Sequence, residues 1–466
     1  MVRTCLFAFV LAVCCGSAPA GEVDRGAGPP GTIVLRHVSC IHPASGVTSA
    51  PTDVLIQNGR IVEIGDSIVQ SPDVVVIDCS GKYAIPGLFD CHTHLVHRTG
   101  HGEDSLRSAL SRFVANGVLY VRDVGGPLDV LSTLSHRVDS GDLPGPEIFF
   151  TGPMLEQSPL TWAEVNTEYP GFTVAIDSPP AVDSILSEIA SHGGCCVKTF
   201  NTIEPALYRY LKKAADSLGL RVVHDPGTPL FHWVPVDSAL AFGVTSIEHA
   251  KAAWPAILSD SLRPQHDSLV AVRAGREERF ACEVRIAPMG VASVSLDRLR
   301  QLADSMIAHE AYLCPTLSVF SDIDATARDI ARSEYQGEGE PPDMMVAMLK
   351  TMIAKVDSVG RLCMREFAAK GVRMLVGQDG DDPDATIGEM IRMSECGVSA
   401  AEILRGATTY PARWLGIENR VGSIAVGSDA TLIVLEHNPL EDIRNLRAID
   451  MVIQRGMVVA PGVTAQ

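Results

Sequence analysis

Between Tyr83 and Leu415 short apolar runs recur eight times, each closing on a turn or a polar residue: YAIPGLFDCHTHL, GVLYVRDVGG, EIFFTGP, CCVKTF, LRVVHDPG, GVTSIEHA, AYLCPTLSVF and GVRMLVGQDG. The stretches between them carry helical spacing. In PALYRYLKKAADSLG, Leu207, Leu211, Ala214 and Leu218 fall near one face before a Gly stop. Eight strands alternating with helices over about 250 residues or more is the pattern of an α/β fold of the (β/α)8 type, a TIM barrel.

The two ends of the chain read differently. TIVLRHVSC, DVLIQNGRIVEIG and VVVIDCSGKYAIPG alternate β-branched residues with turns, and Asn58-Gly59 between apolar runs signals a hairpin. GSIAVGSDATLIVLEHNPL and IDMVIQRGMVV repeat the pattern near the C-terminus. Both ends are therefore expected to build one small composite β-sandwich, from residues 21–82 and 416–466, with the barrel over 83–415 inserted between them.

Residues 1–20 have the form of a signal peptide: Arg3, an apolar run from Cys5 to Cys15, and Ala18-Pro19-Ala20 at the close. The run is too short to span a bilayer, so export without a transmembrane segment is expected, with Cys14 or Cys15 as an alternative site for a lipid anchor. Thirty-eight basic against 56 acidic side chains leave a net charge of −18, which argues against a nucleic-acid partner.

Histidine is scarce, 14 in 466 residues, yet His92 and His94 stand two apart in GLFDCHTHLVH. On a strand, Asp90, His92 and His94 share one face and Cys91, Thr93 and Leu95 the other. A His-x-His alone reads first as a partly buried polar strand end. Three further runs end in His224, His249 and Asp379, and active sites of such barrels lie at the C-terminal ends of the strands. Together these residues point to a divalent metal held by imidazoles and a carboxylate, with a bound water whose pKa falls to about 7 and whose proton Asp379 can accept.

Lys198 sits inside an apolar strand candidate, where an ammonium beside metal ions is costly. Reaction of the neutral amine with carbon dioxide gives a carbamate anion able to bridge two metals. The position suits that role.

This set resembles the amidohydrolase superfamily, closest to its imidazolonepropionase-like and prolidase-like members. The residues that carry the resemblance are AIPGLFDCHTHL, NGVLYVRDVGG, VKTF, VVHDPG, GVTSIEHA, PTLSVF, GVRMLVGQDG and ATTYPARWLGIENRVGSIAVGSDATLIVLEHNPL. The resemblance implies two divalent ions, usually zinc. His92, His94 and Asp379 would hold one, His224 and His249 the other, with N-carboxylated Lys198 between them and Asp379 as acid–base residue. It further implies attack by a metal-bridging hydroxide on an amide C–N bond of a small molecule, a dipeptide of the Xaa-Pro kind or an N-acyl amino acid. Homo-oligomers are frequent among its members.

Two departures bear on substrate. Gln378 stands where Thr or Ser is common before the Asp, and TGPMLEQSPLTWAEVNTEYPGF replaces a Gly-Gly-His stretch after the third strand. Trp162 and Tyr169 are pocket candidates there. Arg273, Arg276, Arg279 and Arg285 cluster in AGREERFACEVRIAPMG, where an Arg such as Arg285 could clamp a substrate carboxylate, and ARDIARSEYQGEGEPPDMM is a lid candidate. Arg122 reads as structural and His97 as lying beyond the strand. A lactonase or phosphotriesterase, a heterocycle deaminase, and a catalytically silent binding protein are the competing readings. Lys198 argues against the deaminase, and the complete ligand set against the silent protein.

Overall fold

The computed structural model describes residues 31–68, 74–100, 102–200, 202–227, 233–271, 285–335 and 339–461. The expected leader with Cys14 and Cys15 lies outside the described residues, as do Arg273, Arg276 and Arg279 and part of the lid candidate. The chain divides into two compact units, one of Asp123–Ser132 and Phe150–Arg373, the other including Ser17–Arg122, Thr133–Phe149 and Met374–Gln466.

In the second unit both ends of the chain enter one sheet. Its order is Met457–Pro461, Ile449–Gln454, Leu432–Leu435, Tyr83–Pro86, Ile33–His42, Val47–Gln57 and Arg60–Gly65, with Val75–Asp78 pairing to Ile33–His42. The join is the antiparallel pairing of Leu432–Leu435 with Tyr83–Pro86. Leu35, Val54 and Ile56 from one end pack with Leu432, Val434 and Ile453 from the other. Removing that apolar surface from water is the main force holding sequence-distant strands together. The Asn58-Gly59 hairpin is present: both residues have positive φ, 51° and 77°, and Gln57 pairs with Arg60, as a two-residue turn of mirror-image type requires.

The chain leaves this sheet at Gly87. A Cβ there would stand 2.8 Å from Leu119 Cδ1, so only glycine lets the first barrel strand, Leu88–Thr93, pass so close. That strand neighbours the second, Val118–Asp123, which neighbours the third, Glu147–Phe150. On its other side lies the run after the eighth strand: Val376 O accepts from Cys91 N, and His92 O from Asp379 N.

In the first unit, parallel strands run in the order Thr173–Ala175, Met154–Glu156, Cys196–Phe200, Arg221–Asp225, Ser246–Glu248 and Tyr312–Cys314, with Arg373–Met374 last. All eight strand candidates are thus strands, alternating with helices, and the fold class is the (β/α)8 barrel with a small sheet domain made from both termini. Two three-residue strands, Met154–Glu156 and Thr173–Ala175, were not expected. The helix Pro205–Ser217 has Pro at its start, where no amide partner is lost, and buries Leu207, Tyr208, Leu211 and Ala215. Its inner face is turned slightly from the expected one, leaving Leu218 exposed, because the large ring of Tyr208 claims the interior. Among the described residues no helix is long and apolar enough to cross a membrane.

Candidate metal centre

In the second unit, strand alternation brings His92 and His94 to the same face, and the backbone pairing of strand one with residues 376–380 sets Asp379 beside them. His92 Nε2 and His94 Nε2 each lie 3.3 Å from Asp379 Oδ1. Both imidazoles are buried, and the Asp379 side chain is 14% exposed. Asp379 holds φ at 62°, a left-handed backbone that an Asp adopts at a cost of order 1–3 kcal/mol.

Asp90 braces this group from within. Its Oδ1 accepts from the amides of His92 and Gln378 at 3.1 and 3.3 Å, and its Oδ2 from the Thr386 hydroxyl at 2.6 Å. Burial pushes its carboxyl up to about 6, against the pull of those three donors. Gln378 Nε2 donates to Asp382 O at 2.7 Å, so the residue that departs from the family pattern pins the turn following Asp379. Arg122 is buried and structural, donating through Nε to Cys91 O at 2.6 Å with its guanidinium 4.8 Å from the Trp414 ring centre. The His97 ring lies 6.1 Å from that of His94.

In the first unit, Lys198 Nζ stands 2.9 Å from Asp225 Oδ2, and His249 Nε2 reaches the same oxygen at 3.1 Å. His249 Nδ1 lies 2.7 Å from the Thr316 hydroxyl. His249 and Thr316 have φ of 66° and 50°, so this group too sits on left-handed backbone. His224 is elsewhere. Its Nδ1 is 3.0 Å from the Tyr208 hydroxyl, which is itself 3.1 Å from Thr199 Oγ1, and burial drives its pKa down to about 4. The structure brings together Lys198 and His249, but the fifth-strand partner they meet is Asp225.

That Asp225 meets Lys198 was not read from the sequence, because which of the adjacent His224 and Asp225 faces Lys198 depends on the register of the fourth and fifth barrel strands, Cys196–Phe200 and Arg221–Asp225. Glu156 was also missed. It is fully buried at the end of Met154–Glu156 and accepts from the Thr161 amide and hydroxyl, both at 2.7 Å. It thereby holds the loop that presents Trp162, whose ring stands 5.0 Å from Phe200. Tyr169 packs 6.4 Å from Phe172, at the edge of the same loop. Arg285 is exposed.

The donors fit a divalent ion. Two imidazole nitrogens and a carboxylate oxygen meet at one point in the second unit, and an imidazole and a carboxylate meet in the first, where the Thr316 hydroxyl backs the far nitrogen of His249.

The amidohydrolase family model matches residues 277–459. Among curated proteins the chain is similar to a dihydroorotase of Trichlorobacter lovleyi, 44% identical over 63 residues, 14% of this chain and 15% of that one. It is also similar to an imidazolonepropionase of Vibrio cholerae, 49% identical over 47 residues, 10% and 12% of the two chains. The match therefore spans under a sixth of these curated relatives. Among solved structures, a prolidase complexed with N-methylphosphonate-L-proline aligns with a TM-score of 0.69 at 24% identity over 92% of this chain and 100% of that one. A Xaa-Pro dipeptidase with methionine bound in its active site aligns at 0.66 and 20%, over 92% and 100%. The fold shared with these structures, the amidohydrolase family match over residues 277–459 and the strand-end histidines agree with one another.

Proposed function

We propose that this chain is an exported, metal-dependent hydrolase that cleaves the C–N bond of a small amide, a prolidase-like dipeptide or an N-acyl amino acid. The observation that carries the reading is the meeting of His92 Nε2 and His94 Nε2 on Asp379 Oδ1 at 3.3 Å. Three such groups at the C-terminal end of a barrel strand have no comparable use in packing. In this reading two divalent ions, zinc by donor chemistry, are held by His92, His94 and Asp379 and by His249 with a fifth-strand ligand, for which the family pattern nominates His224. When bound, such ions polarise a carbonyl and supply hydroxide at neutral pH. Asp379 holds the proton taken from water and delivers it to the leaving nitrogen. Lys198 first loses one proton from its ammonium, and the neutral amine then takes up carbon dioxide on Nζ with loss of a second proton, so the side chain changes from cation to anion.

Trp162 and Phe200 offer an apolar wall to the substrate side chain, and Tyr169 and Arg285 are further candidates for contact with it. The barrel is assigned to residues 83–415 and the sheet domain to 21–82 and 416–466, with 1–20 removed on export.

The test is elemental analysis of the purified mature chain, joined to a hydrolysis screen of dipeptides and N-acyl amino acids before and after chelation. About two ions per chain and turnover lost on chelation are expected. A chain that hydrolyses none of these amides after metal reconstitution overturns the reading.

A further inference from the structure

Strands four and five are in a register that sorts their side chains. Lys198 pairs with Val223, Thr199 with His224 and Phe200 with Asp225. In a parallel ladder, paired residues and residues two apart share a face. One face therefore carries Lys198, Phe200, Val223 and Asp225, and the other Thr199 and His224.

The contacts identify the two faces. Thr199 and His224 both meet the hydroxyl of Tyr208, which belongs to the helix Pro205–Ser217, so theirs is the face packed against the helix. Lys198 and Asp225 meet each other and, through Asp225, His249. The Asp225 carboxylate is also oriented: Gly227 N donates to Oδ1 at 2.7 Å, which turns Oδ2 toward Lys198 Nζ and His249 Nε2. Asp225 and His249 are both nearly closed to solvent, with side-chain exposures of 2% and 7%.

We propose that Asp225, and not His224, supplies the fifth-strand ligand to the metal held by His249. A carboxylate oxygen and an imidazole nitrogen are both ordinary ligands of zinc and related divalent ions, and a backbone amide on the second carboxylate oxygen is the usual way such a ligand is aimed. His224 then has a structural task, closing the Thr199–Tyr208 cluster between the strands and their helix. The exchange of a neutral imidazole for a carboxylate adds one negative charge to the centre, which offsets the metal charge facing Lys198.

This inference rests on the metal-dependent reading above, and its test reads metal directly. Wild type, Asp225→Asn and His224→Gln are loaded with zinc, dialysed against a weak chelator, and their metal per chain and thermal unfolding measured. Asp225→Asn is expected to lose one ion per chain or to hold it about 100-fold more weakly. His224→Gln is expected to keep the wild-type metal content and to melt at a lower temperature. Loss of metal from His224→Gln as large as that from Asp225→Asn, or no loss from Asp225→Asn, overturns the assignment and leaves the metal-dependent reading intact. A wild type that takes up no metal overturns both. Should Asp225→Asn fail to fold, imidazole 15N NMR of wild type decides: the His224 resonances, identified by their absence in His224→Gln, are expected to stay put on cadmium loading, and a shift of His224 matching that of His249 overturns the proposal.

Discussion

At the scale of single residues, the centre combines groups with unequal tasks. In the proposed reading Asp379 both holds a metal and carries a proton, and its oxygen meets both imidazoles at 3.3 Å. Asp379→Asn keeps the shape and loses the proton carrier, so kcat on the best amide substrate is expected to fall by roughly 10²–10⁴-fold, equivalent to about 3–5 kcal/mol of barrier. Steady-state kinetics with unchanged kcat would remove Asp379 from that role. Arg122 has no such part. Its guanidinium serves Cys91 O and the face of Trp414 from a nearly solvent-free position, and Arg122→Ala leaves a buried carbonyl without its donor. A loss of about 1–3 kcal/mol in denaturant unfolding is expected. Strand-end positions such as His92 and Asp379 were legible because a period of two fixes side-chain direction within a strand. Asp225 was not, because its direction relative to Lys198 is a property of two strands and their register, which no local pattern carries.

At the scale of an element, the segment after the third strand shows where local patterns run out. Met154–Glu156 and Thr173–Ala175 are three residues long and embedded among Pro, Gly and Ser, too short to show alternation. The loop between them is tied by a buried carboxylate. Glu156 has its pKa pushed up to about 7 by burial, opposed by hydrogen bonds from the Thr161 hydroxyl and the amides of Thr161 and Trp162. Its ordinary value of 4.5 applies in the unfolded chain, so between about pH 4.5 and 7 the folded protein binds more protons than the unfolded one. Stability from this group is therefore greatest below pH 4.5, falls as pH rises to about 7, and is flat above that, a span of order 3 kcal/mol. Glu156→Gln abolishes the titration. The stability difference between wild type and Glu156→Gln, followed by urea unfolding at pH 5 and pH 8, is expected to move against wild type at the higher pH. A difference that stays constant across that interval would show that Glu156 titrates in the folded protein as it does in water.

At the scale of the whole molecule, the sheet domain is the feature the ends of the sequence announced most clearly, since β-rich termini around a barrel pattern leave few other partners for their apolar faces. What the sequence does not display is the order of strands, and in particular that Leu432–Leu435 inserts between Tyr83–Pro86 and Ile449–Gln454. Val434 is the test of that placement. It is fully buried, pairs with Ala84 on one side and Met451 on the other, and belongs to the cluster that includes Leu35, Val54 and Ile56 from the opposite end of the sequence. A carboxylate at this point has no ionic partner among the cluster residues, all of which are apolar, and its burial costs about 4 kcal/mol or more. That is a large part of the 5–15 kcal/mol that a domain typically has. Val434→Asp is therefore expected to open strands almost four hundred positions upstream as well as its own neighbours. Amide hydrogen exchange reads this directly: protection should be lost in Ile33–His42 and Tyr83–Pro86 together with Ile449–Gln454. Loss confined to the C-terminal strands, with Ile33–His42 still protected, would mean that the N-terminal strands keep their core without Leu432–Leu435 and that the two ends do not fold as one sheet.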